Sequence, residues 1–335
     1  MKWDQEQMVK TIARLHELSI SSDKDGLVIA APSYNHKNLL RVYMNGGNVG
    51  RIALTARNTT TGISADYRTK YKGHEPEEVK ILNKDNDADE TKRLKALISK
   101  PYLDYCREAT GAYSSKSGRN KDRERTIETR IMNPINQKSG SAAIDMEMAY
   151  SAVDHFGWTT KEIPGCAPVH FNKAYRYNNT LSYTEGITVR PRVDLMVLND
   201  QGVGFVELKV DNESCDNLDG HVEHMNYILD HPDKFIEDAD RRINVLSKYG
   251  LLDEALDGNL EVWRKEKNIW CGILFVGEEK EHRPGAVELV KNLDPTKLGD
   301  IKFSFIDRKF IDAKKIDLSS ESFKSVGAFI GETND

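Results

Sequence analysis

Residues 193–210, V-D-L-M-V-L-N-D-Q-G-V-G-F-V-E-L-K-V, set three charges, Asp194, Glu207 and Lys209, inside two apolar, β-branched runs. A chain buries such charges only by pairing them, so this segment constrains the fold more than any other. The runs Val193–Leu198 and Phe205–Val210 are separated by Asn, Asp, Gln and Gly, the composition of a hairpin turn. With Asn199–Gly202 as the loop, Leu198 pairs with Val203, Asp194 faces Glu207 and Arg192 faces Lys209. A six-residue loop ending at Gly204 would instead set Asp194 against Lys209. Both loops leave Asp194, Glu207 and Lys209 on one face, because side chains alternate with period two. The other face carries Val193, Leu195, Val197, Val206, Leu208 and Val210, which suits packing against a helix. Carboxylates facing each other at roughly 4.5–5.5 Å repel, so a cation is expected between Asp194 and Glu207.

The 335 residues give room for two domains. Hydrophobic residues make up 39% and charged residues 30%, a globular composition. No apolar run approaches the roughly 18 residues of a membrane span. The opening M-K-W-D-Q-E-Q-M lacks the apolar stretch of a secretory signal, so the expected location is the cytoplasm. Cys106, Cys166, Cys215 and Cys271 are spaced too widely for a zinc knuckle or a compact disulfide framework, and free buried thiols are expected. A formal net charge of −5 argues against coating nucleic acid by bulk charge, while leaving room for a local basic groove. The P-loop, dinucleotide-binding, H-E-x-x-H and G-x-S-x-G patterns do not occur.

Residues 3–19 carry Trp3, Met8, Ile12, Leu15 and Leu18 at helical spacings, and short β-like runs between Gly26 and Tyr67 predict a small antiparallel sheet. Lys72–Asp89 is charge-dense and reads as an exposed loop; a helix near Glu90–Ser99 is expected to be interrupted by Pro101. The polar stretch 111–120 reads as a break, followed by a helix over Lys121–Asn136 and a strand over Ala142–Val153. After the hairpin come helices across 213–230, 233–249 and 251–266, a buried strand Ile269–Val276, a helix near Ala286–Asn292 and a strand Ile301–Ile306.

Asp194 and Glu207 supply the one or two carboxylates by which Mg²⁺ is usually held, and the Leu208 carbonyl can add a neutral oxygen. Lys209, on the same face, can hold or deprotonate a water whose pKa the metal lowers. A nucleophilic water, a cation for the developing charge and a nearby positive side chain are what phosphodiester hydrolysis requires.

The ordered set D-x12-E-x-K on consecutive strands, with a helix before and after, resembles the PD-(D/E)XK nuclease superfamily over roughly 121–276. The resemblance implies an α/β fold: a restriction-endonuclease-like core, a central mixed sheet flanked by helices in αβββαβ order, at 111–335, with an N-terminal α+β accessory region at 1–110. It implies a Mg²⁺-dependent nuclease, with Mn²⁺ able to substitute, acting on DNA in preference to RNA. Asp194 and Glu207 are then metal ligands and Lys209 positions the attacking water. A first-helix acid completes the site: Glu128 in R-T-I-E-T-R, with Glu124 as competitor. The family's proline commonly sits just before the Asp, whereas Pro191 here precedes Asp194 by three positions. Asp145 and Glu147 also offer acids on a neighbouring strand; Glu147 can be a ligand, a supporting residue or part of a solvated strand face. The alternative function is a catalytically silent nucleic-acid- or protein-binding module on the same fold.

H-V-E-H at 221–224 sets His221 and His224 three apart on a helix without a third zinc ligand; His224 is the candidate for a supporting role at the site, as is Arg192. The basic stretch 116–130, including Arg123 and Arg125, can contact phosphates or form a solvated helix face. H-F-N-K-A-Y-R-Y-N-N at 170–179 interleaves aromatics with Lys173 and Arg176, as base stacking beside backbone contact would. Core packing accounts for those aromatics equally well. Nucleic acid is the expected partner, together with a second copy of the chain in a homodimer, and no membrane.

Overall fold

The computed structural model describes residues 4–21, 27–33, 36–71, 75–83, 89–117, 120–149, 192–211, 218–311 and 315–331. These group into two compact units: residues 1–137, 242–254 and 311–315 form the first, and residues 138–241, 255–310 and 316–335 the second.

In the first unit, α1 (Gln5–Ser21) buries Met8, Ile12 and Leu15, spaced four and three apart so that they share one helical face. Strands β1 (Val28–Ala30), β2 (Leu39–Met44) and β3 (Gly47–Ala53) form an antiparallel sheet in that order. The β2–β3 turn is Asn45–Gly46, both at positive φ (48° and 79°), the conformation that Asn-Gly adopts at low cost. Helices α2 (Ala65–Lys70), α3 (Glu77–Asn83), α4 (Glu90–Leu97), α5 (Lys100–Ser117) and α6 (Asn120–Met132) follow.

Three expectations are corrected here. The stretch 72–89 is not simply a loop: it contains α3, whose Val79 and Leu82 are buried while Glu77 and Glu78 face the positive end of the helix dipole. Pro101 does not interrupt a helix but begins one, in the first turn of α5, where its missing N–H has no intrahelical acceptor to lose. The break read at 111–120 is largely helical, because α5 continues to Ser117 from a half anchored by Tyr102, Cys106 and Ala109.

The second unit holds a mixed sheet of strands β4 (Ala142–Ala149), β5 (Arg192–Asn199), β6 (Gly202–Val210), β7 (Ile269–Gly277) and β8 (Lys302–Asp307), ordered β4-β5-β6-β7-β8. β4 pairs with β5 and β5 with β6 antiparallel, whereas β6, β7 and β8 are mutually parallel. The first parallel connection carries α7 (Leu218–Asp230), α8 (Pro232–Lys248) and α9 (Asp257–Glu266). The second carries α10 (Glu279–Lys291) and α11 (Pro295–Leu298), and α12 (Val326–Gly331) closes the described chain. The chain is thus α/β, a helix-flanked mixed sheet beside a small antiparallel one.

β6 is buried throughout and β7 at every position but the first, as central strands covered on both faces must be. Phe205 meets Phe235 of α8 edge-on at 5.8 Å, and the Cys271 thiol points to the Met225 carbonyl of α7 at 3.6 Å. The first turn of α8 and the middle of α7 therefore cover the sheet face that carries Phe205, Glu207 and Lys209. On the opposite face the Trp270 ring lies under Gly204 and packs on Phe323 at 4.7 Å.

Candidate active site

The β5–β6 hairpin has the register expected for the shorter loop: Leu198 pairs with Val203 and Leu195 with Val206. The turn is tighter still, since Asn199 and Gly202 also pair, and the Asn199 side chain accepts the Gln201 N–H at 2.9 Å. Gly202 sits at φ +115°, and a Cβ there would overlap the Asn268 carbonyl oxygen, so only glycine serves.

Beyond Leu195↔Val206 the two strands fork. β5 stays paired with β4 as far as Arg192, and β6 stays paired with β7 as far as Val210, but pairing between β5 and β6 stops. At the fork the backbone N–H of Leu208 donates to Asp194 Oδ2 at 2.8 Å, so a carboxylate replaces a main-chain acceptor. This brings Asp194 against the backbone that joins Glu207 to Lys209. The Lys209 Nζ donates to Glu207 Oε1 at 2.7 Å, and His221 Nδ1 of α7 donates to the same oxygen at 3.0 Å. Asp194, Glu207 and Lys209, chosen from the sequence as one cluster, are brought together.

Glu207 and Lys209 are 6% and 3% exposed. Burial works against ionisation of Glu207, but His221 and Lys209 outweigh it and hold the carboxyl at about 2. Burial pushes the His221 imidazole below its ordinary value, with Glu207 opposing and Lys209 assisting. His221 Nδ1 and Lys209 Nζ thus both donate to an ionised Glu207. A buried ion pair of this kind adds little net stability when intact, and removing one partner strands a charge.

His221 is the residue that sequence reasoning passed over. The buried stripe Leu218, Val222, Met225 and Ile228 places position 221 on its flank, one turn before Met225, and that periodicity is the signal that could have found it. His224, favoured from the sequence, is instead enclosed at 5% exposure, and burial holds its imidazole at about 3.

The other acids fall as follows. A bulge in β4 between Ala143 and Asp145 makes Ile144 the extra residue and pairs Asp145 with Met196, placing Asp145 on the face that carries Asp194. Asp145 is fully buried. The flanking pairs Met146↔Leu195 and Met148↔Val193 set position 147 opposite Asp194. The side chain of Glu147 lies outside the described residues, as do those of Arg123 and Arg192 and the whole of Lys173 and Arg176. Glu128 is buried at 2% in α6 of the first unit, and Glu124 is half-buried on the same helix. Arg125, also on α6, is half-buried with its backbone against Gly46 of the β2–β3 turn.

Among the described residues no group of three or more His, Cys, Asp and Glu side chains is gathered into a metal cage. Mg²⁺ asks for less, since it is commonly held by one or two carboxylates and otherwise by water and substrate. Glu207 is ionised, and among the described residues the partners given for it converge on Oε1, which makes Oε2 the oxygen it can offer to a cation. The donor set fits a hard divalent ion.

Neither a family model, nor a curated protein, nor a solved structure matches the chain. Among the described residues no helix is long and apolar enough to cross a membrane. Cys106 and Cys271 are free and buried, as expected from their spacing.

Proposed function

We propose that the chain is a Mg²⁺-dependent nuclease that hydrolyses phosphodiester bonds in DNA, its second unit a restriction-endonuclease-like core. The observation that carries this is the convergence of Asp194, Glu207 and Lys209 at the β5–β6 fork. It supports the nuclease reading because the fork lies in a sheet with three antiparallel strands, then helices, then a parallel strand, the order that the resemblance implies.

Asp194 and Glu207 would hold the ion, with Leu208 adding a carbonyl oxygen and Mn²⁺ able to substitute. When bound, it supplies charge for the transition state and a water of lowered pKa. The chain's own groups do the rest. The Leu208 N–H fixes the Asp194 carboxylate. Lys209, held at Glu207 Oε1, is placed to donate a proton-bearing Nζ to a water or a phosphate oxygen entering the fork. Burial of Glu207 and Lys209 lowers the local dielectric, which strengthens each of these interactions.

Glu207→Ala and Lys209→Ala are each expected to abolish Mg²⁺-dependent cleavage while the far-UV circular dichroism stays native. Assays on linear, circular and single-stranded DNA and on RNA, with Mg²⁺ and with Mn²⁺, read the outcome, and undiminished cleavage by purified Glu207→Ala overturns the proposal. A silent binding module on the same fold draws on one observation: Glu207 is already charge-balanced within the protein by Lys209. Calorimetry separates the two, since only the nuclease requires Mg²⁺ or Mn²⁺ uptake that Asp194→Asn removes.

A further inference from the structure

We infer that His221 is a positioning residue for Glu207, which selects the oxygen that this carboxylate offers to the cation. The inference rests on the metal-site proposal above and adds to it a residue on a different element. Its basis is geometric. A free carboxylate can turn about its last bond and present either oxygen or both. Glu207 is tied at one oxygen by two donors from different directions, Lys209 Nζ at 2.7 Å from two positions along β6 and His221 Nδ1 at 3.0 Å from α7.

Lysine alone would not fix the plane, because an ammonium on a flexible four-carbon stem follows the carboxylate as it turns. The imidazole is a flat donor on a short stem, and with 14% of its side chain exposed it is gripped by α7 and the sheet. His221 therefore sets the plane, Oε1 is occupied, and Oε2 is the atom turned to the ion. Partners of this kind orient metal ligands, and their loss commonly costs about 10–100-fold in metal affinity.

The donor atom is specified, so the test can be specific. Asparagine carries its amide nitrogen near the position of Nδ1, whereas glutamine carries it near Nε2. Calorimetric titration with MgCl₂ and with MnCl₂ is compared for the full chain and for His221→Asn, His221→Gln and His221→Ala, with the thermal midpoint of each metal-free protein measured alongside. His221→Ala and His221→Gln are expected to lose roughly 10–100-fold in affinity, and His221→Asn to stay within about threefold of the parent. Equal losses for Asn and Gln, or full affinity in His221→Ala, overturn the positioning role while leaving the metal site standing. A parent protein that takes up neither ion overturns both. If His221→Ala does not fold, the contrast between Asn and Gln still decides, because both keep a polar side chain at the same place.

Discussion

His224 is enclosed in α7 and burial holds its imidazole at about 3, whereas a histidine in the unfolded chain titrates at its ordinary 6.5. The folded state therefore refuses a proton that the unfolded state accepts. Stability is complete above about pH 6.5 and falls as the pH drops toward 3, by up to about 1.4 kcal/mol per unit. Glu207 acts in a lower window. Its carboxyl is depressed from 4.5 to about 2, so its contribution is present above 4.5 and lost as the pH falls through 2. Urea denaturation at pH 7 and pH 5 separates the two, with His224→Leu expected to flatten the loss over that interval. An equally steep loss in the variant would show that the acid sensitivity arises elsewhere. The two histidines also mark where sequence reasoning reached its limit at this scale. Asp194, Glu207 and Lys209 were legible because charges inside β-branched runs are costly and a period of two fixes their face. His221 and His224 differ by less than one helical turn, and which of them meets Glu207 depends on the rotation of α7 against β6, which no local pattern encodes.

At the scale of elements, the hairpin and the face of its charges were readable because N-D-Q-G supplies a turn and both loop lengths share one parity, whereas the choice between the two registers came only from the pairing of Leu198 with Val203. The bulge at Ile144 was not readable, since alternation in β4 appears unbroken in the letters and only pairing with Met196 shows the extra residue. α3 was missed because two buried residues among charges make a weak stripe. Gly204 shows what an element-level reading can overlook in a residue that the longer hairpin loop would have ended on. It faces Trp270 across the central β6–β7 pair, where a Cβ would overlap the indole ring. The ring cannot easily retreat, because it packs on Phe323 at 4.7 Å. Gly204→Ala is therefore expected to lower stability by about 1–3 kcal/mol through overpacking, read as a shift in urea midpoint. A midpoint within error of the parent would mean that the Trp270 pocket is loose.

The first unit is assembled from three separated stretches of chain, and this discontinuity governs how the whole molecule can be divided. Its core of Met8, Ile12, Leu40, Leu94 and Tyr102 is completed by Val245, Tyr249 and Leu251, which arrive from the end of α8 and the turn after it. Local periodicity predicted both α1 and α8 but carries no information about residues more than a hundred positions apart sharing a core. Removing those three side chains takes away part of the cover over this cluster, at about 1–2 kcal/mol for each large apolar group lost. A fragment of residues 1–137 is therefore expected to keep helical far-UV circular dichroism while losing near-UV signal, binding a hydrophobic dye and unfolding without a sharp transition. Val245→Ala, Tyr249→Ala and Leu251→Ala in the full chain should each lower the urea midpoint, which shows that the same contacts matter when nothing has been cut. A fragment 1–137 with native near-UV signal and a cooperative transition would establish that residues 242–254 are an ornament on a self-sufficient domain. The expected result makes them part of the core, and then the second unit cannot be obtained by trimming the chain from its N-terminus alone, because residues 242–254, which belong to the first unit, fall in sequence between its segments 138–241 and 255–310.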